Sequence, residues 1–151
     1  MKASFYFIIS LIVLALCSYL LLTGSSLLAK PIIDGVAFPY GTLITWVGLV
    51  ALPFAIYSGV RRIKRPISFI HKVFSYVYNF FILLSLFWGF VSYYFASNWT
   101  FIFTQKSEFR GSIKASEYFW AYTVACIALP LMFLFLYWFY LLICYLRAKT
   151  K

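Results

Sequence analysis

The chain has 151 residues, 65% of them hydrophobic and only 11% charged, with a formal net charge of +10 at pH 7. A soluble domain carries roughly 25% charged residues, so this composition cannot build a water-facing surface and excludes a soluble globular fold. The positive charge does not point to nucleic acid either: the basic residues lie between apolar segments instead of along one face of a folded domain, as orientation in a membrane requires.

The first apolar segment follows Lys2 and stays uncharged from Ala3 to Ala29. About 20 apolar residues cross a hydrocarbon core of roughly 30 Å, which places a helix over 5–23. A cleaved signal peptide is the rival reading. Leu16 occupies the place before Cys17 where a lipoprotein cleavage site needs a small residue, and the apolar run continues through Leu22, so a retained helix is expected. Gly24, Ser25 and Ser26 end it, and Lys30–Pro31 with Asp34–Gly35 read as a loop.

Pro39 can open a second helix, predicted over 39–60, because proline is tolerated in a first turn. Gly41, Thr45, Gly48, Ala55 and Gly59 recur at helical spacing along it and form one small-residue face. Pro53 inside this helix predicts a kink. Next comes the densest charge in the chain, Arg61, Arg62, Lys64, Arg65 and Lys72, with the single histidine, His71. It reads as a basic loop that sets topology and attracts anionic headgroups, with His71 an interfacial residue beside it.

A third helix is predicted over 73–96, where Ser85, Gly89, Ser92 and Ala96 form a second small seam. Small faces let backbones approach closely in lipid, so this seam is expected to meet the Gly48/Ala55/Gly59 face. Asn79 needs a hydrogen-bond partner in hydrocarbon and is expected to face another helix. Ser97–Glu117 is the longest polar stretch. Its alternation of Asn98, Thr100 and Thr104 with Trp99, Phe101 and Phe103 suggests a small extramembrane hairpin or aromatic flap. Asn98-Trp99-Thr100 matches the glycosylation acceptor pattern but hugs the membrane and is set aside.

The fourth helix is predicted over 118–146, about 43 Å at 1.5 Å per residue, so it must tilt or protrude. Aromatic belts flank it at Tyr118–Tyr122 and Tyr137–Tyr145, and Pro130 sits near its middle. The three cysteines, Cys17, Cys126 and Cys144, lie in apolar segments without a C-x-x-C pair and are expected to be buried, inert thiols.

The fold expected is therefore an all-α four-helix transmembrane bundle, a single polytopic domain with an extracytoplasmic hairpin or flap between helices three and four. Lys and Arg number nine on the side of the two termini and the central loop, against four on the other side. The richer side is cytoplasmic by the positive-inside rule, which predicts both termini inside, in a bacterial inner membrane.

Catalytic groups are sparse. The acids are Asp34, Glu108 and Glu117, all outside the spans, and no His/Cys/carboxylate cluster has metal spacing. No enzymatic activity, metal or cofactor is expected. The layout is similar to that of immunity proteins of pore-forming bacteriocins: four spans, both ends inside, a basic cytoplasmic loop. The function expected is protein–protein contact in or beside the bilayer, as an accessory subunit of a membrane complex or an immunity-type protein against a membrane-active toxin. The partners are membrane lipids and another membrane or membrane-active protein. Trp99, Phe109 and Arg110 are the residues expected to carry recognition, since aromatics and Arg dominate contact hot spots. The alternative is a channel or carrier for a small or lipid-like solute.

Overall fold

The structure, a computed structural model, describes residues 5–32, 38–96 and 113–149. Among these described residues it is nearly all helical, and four helices are long and apolar enough to cross a membrane. These are α1 (Phe5–Leu22), α2 (Tyr40–Gly59), α4 (Phe69–Ala96) and α5 (Ile113–Lys149), with a short helix α3 (Arg61–Lys64) between α2 and α4. The expected hairpin lies outside the described residues.

Local chemistry sets the ends. α1 stops at Leu22, and Gly24 takes a left-handed φ of 59° that a side chain would resist. A single 3₁₀ turn, Ser26–Ala29, follows, with the Ser25 hydroxyl accepting from the Leu27 N–H. The chain then doubles back: the Ile32 N–H donates to the Phe38 carbonyl and the Tyr40 N–H to the Lys30 carbonyl. Pro39 precedes α2 as its cap instead of opening it. At the other end, Arg65 is pushed out of the helical region because Pro66 follows it, which ends α3 after one turn.

Two helices are longer than their apolar cores. α4 begins at Phe69, four residues before the expected start, and so takes in His71 and Lys72. α5 spans 37 residues, about 55 Å. It extends beyond 118–146 at both ends, because hydropathy marks the lipid-embedded part while Lys, Ala and Glu, all good helix formers, continue the ladder into water.

Neighbouring helices run antiparallel. Phe7 meets Gly59 and Cys17 meets Gly48 across α1 and α2; Trp46 meets Gly89 across α2 and α4; Tyr78 reaches Pro130 across α4 and α5. The basic turn α3, the start of α4 and the end of α5 therefore share one end of the bundle. α1 packs on α2 and is peripheral: 11% of its span is buried, against 39% of the α2 span.

The interior forms two aromatic layers. One holds Leu49, Trp88, Phe119 and Cys126; the other, nearer the basic end, holds Ile63, Tyr78, Phe81 and Tyr137. Edge-to-face pairs tie α4 to α5, with centroids 5.2 Å apart for Phe74–Tyr137 and 5.3 Å for Phe81–Phe133. Lipid tails are as apolar as these side chains, so packing and interhelical hydrogen bonds hold the bundle instead of the hydrophobic effect.

Candidate functional site

The small residues do not pair as the sequence suggests. A Cβ on Gly48 would lie 3.2 Å from the Cys17 Cβ, and one on Gly59 would lie 2.6 Å from the Phe7 ring, so this face of α2 receives α1 and not α4. Ala55 is buried on the same helix. α2 meets α4 through Trp46 instead. Its indole lies against Gly89, where a Cβ would come within 2.6 Å of the ring, and its Nε1 donates to the carbonyls of Ser85 and Leu86 at 3.2 and 3.0 Å. Ser85 and Ser92 are buried on α4. Asn79 is exposed, not turned between helices, because its neighbour Tyr78 takes the inward position.

The contacts that sequence reasoning missed are made by large amphipathic side chains. Tyr78 donates its hydroxyl to the Pro130 carbonyl at 2.9 Å, and Tyr122 donates to the Leu84 carbonyl at 2.6 Å. The Trp88 Nε1 donates to Thr123 Oγ1 at 2.9 Å. Buried Tyr and Trp seek such partners, and that was the available signal. With five Trp and 13 Tyr in the chain, however, it does not say which ones turn inward.

The polar end is built on α3. Ile63 is fully buried under α4 and α5, which anchors the turn and leaves Arg61, Arg62, Lys64 and Arg65 exposed around it. Lys64 Nζ stands over the Tyr6 ring of α1, 5.3 Å from its centroid. Lys72 is exposed on the first turn of α4. His71, on the same turn, contacts the Ser68 hydroxyl through Nδ1, and its ring lies edge-on to Tyr137 and Tyr140 at 6.0 and 6.1 Å. His71 Nε2 and the Tyr137 hydroxyl are both buried and make no hydrogen bond. This end is thus cationic and rich in donors. The single carboxylate among the described residues, Glu117, lies at the far end of the bundle.

Apolar grooves flank α1. The larger, about 480 Å³, runs between α1 and α2 with Leu86 of α4 on its wall. Two others, about 390 and 290 Å³, lie on the α5 side. Among the described residues no three His, Cys, Asp or Glu side chains come together as metal ligands. Cys17 and Cys126 are buried free thiols, whereas Cys144 is exposed, because it lies near the end of α5 where no other described helix covers it. Trp99, Phe109 and Arg110 lie outside the described residues. No protein-family model, curated protein or solved structure matches the chain.

Proposed function

We propose that this chain is a small non-enzymatic membrane protein that acts by protein–protein contact in or beside the bilayer. The observation that supports this reading is the interior. Trp88, Tyr78, Phe119 and Tyr137, each no more than 1% exposed, fill the space between α2, α4 and α5, where a solute path through the bundle would run. The lateral surface is broad and apolar instead: Phe80, Phe87, Phe90, Phe135 and Phe139 are all exposed. In a bilayer such surface meets lipid or another membrane protein.

In finer form, the protein is an accessory subunit of a membrane complex or an immunity-type protein against a membrane-active toxin. It sits in a bacterial inner membrane with both termini and residues 61–72 cytoplasmic. Recognition falls to the outward flap between α4 and α5, centred on Trp99, Phe109 and Arg110. A carrier for a lipid-like solute is the second reading, and the apolar groove beside α1 is the observation in its favour.

The test is mild-detergent capture of the full chain followed by mass spectrometry, in parallel with the triple variant W99A/F109A/R110A. A partner recovered in stoichiometric amount with the parent and lost with the triple variant, at unchanged thermal stability, supports the reading. Equal capture by both moves recognition away from the flap, and the absence of any stoichiometric partner overturns the contact function.

A further inference from the structure

We propose that the larger groove beside α1 is a binding site for one anionic phospholipid, with its phosphate at Lys64 and an acyl chain lying between α1 and α2.

The groove has the length of one leaflet. It runs from Tyr6 to Val13 on α1 and from Phe54 to Trp46 on α2, which is about 12 Å at 1.5 Å per residue. Half of a hydrocarbon core is about 15 Å. The far end is bounded by Trp46 and Leu86, which the 3.0 Å bond from the indole Nε1 to the Leu86 carbonyl joins. A spanning partner helix would need a face of the full bilayer depth, whereas a single acyl chain fits this length. The wall is apolar throughout, since the hydroxyl of Ser10, its polar side chain on α1, is donated back to the Phe7 carbonyl at 2.9 Å.

The near end carries charge. Tyr6 both lines the groove and underlies Lys64 Nζ, so an ammonium stands where a lipid in the groove would carry its phosphate. Arg61 and Arg65 are exposed on the same short segment. Among the described residues no carboxylate lies at this end to neutralise it, since Glu117 lies near the N-terminal end of α5, at the opposite end of the bundle. A phosphate completes the site electrostatically, and an acyl chain completes it by packing. The site holds whether or not a protein partner is captured at the flap.

The test is native mass spectrometry of the full chain, titrated with phosphatidylglycerol, with phosphatidylcholine of the same acyl chains and with glycerol phosphate. One adduct of phosphatidylglycerol is expected at about fivefold higher affinity than phosphatidylcholine, the advantage of one nearby cation. Lys64→Gln should bring the two lipids level. Val47→Trp, which fills the groove from an exposed position, should weaken both lipids while leaving the melting temperature unchanged. Equal affinity of the parent for both lipids overturns the site, as does a preference that survives Lys64→Gln. Glycerol phosphate binding as well as the lipid would reduce it to a surface anion site without a groove. Loss of a captured membrane protein on Val47→Trp, with lipid adducts unchanged, would give the groove to a helix and likewise overturn it.

Discussion

Trp88 and Thr123 are joined across α4 and α5 by a 2.9 Å hydrogen bond in which the indole N–H donates to the threonine hydroxyl, both side chains being buried. Thr123 in turn gives its own proton to the Phe119 carbonyl at 2.9 Å. A hydroxyl has one proton and two lone pairs, so spending the proton on the backbone orients a lone pair at the indole. Thr123→Val keeps the shape and removes the acceptor. It should lower stability by about 1–3 kcal/mol, the cost of depriving a buried donor of its partner. The double variant with Trp88→Phe should lose less than the sum of the two single changes. Thermal unfolding in detergent reads both, and strict additivity would show that the two residues are not coupled.

Gly89 of α4 leaves room for the Trp46 indole of α2, which a Cβ there would meet at 2.6 Å. The facing indole of Trp46 cannot swing away cheaply, because two backbone carbonyls hold its N–H. Gly89→Leu should therefore destabilise by about 1–3 kcal/mol as an overpacking change. Gly48→Ala, which meets the Cys17 Cβ at 3.2 Å, needs only a small shift of the peripheral α1 and should cost less. Equal melting temperatures for parent and Gly89→Leu would mean that Trp46 does not hold this interface.

The same substitution should act with opposite sign at two buried tyrosines. Tyr78 donates to the Pro130 carbonyl, so Tyr78→Phe should cost about 1 kcal/mol. The Tyr137 hydroxyl is buried without a hydrogen bond, so Tyr137→Phe should stabilise by about 1 kcal/mol, because the desolvated group is removed and nothing is lost. Paired melting curves decide it. A destabilising Tyr137→Phe would show that the hydroxyl has a partner, such as a bridging water near His71.

Topology is testable at two exposed serines on opposite ends of the bundle, Ser26 in the 3₁₀ turn and Ser68 before α4. With Cys17, Cys126 and Cys144 replaced, Ser26→Cys should react with an impermeant thiol reagent in intact cells. Ser68→Cys should react only after permeabilisation. The opposite pattern would invert the proposed orientation and place the basic turn outside.

Length, hydropathy and the position of charge are local properties, and they were legible in the sequence: four apolar helices, the break at Gly24 and the basic segment between the second and third spans. Which face of each helix turns inward was not. In a bilayer every face is apolar, so periodicity carries no signal of inside and outside. Gly48 and Gly59 look like a seam for any neighbour, and only the packed structure assigns them to α1. Asn79 was expected inward on the ground of polarity. Tyr78 beside it fills the α4–α5 interface and spends its hydroxyl on Pro130, and two successive helical residues, about 100° apart, cannot both face that interface. The groove under Lys64 exists because α1 packs chiefly on α2 and stays at the edge of the bundle, a choice among apolar surfaces that side-chain shape makes and hydropathy does not record.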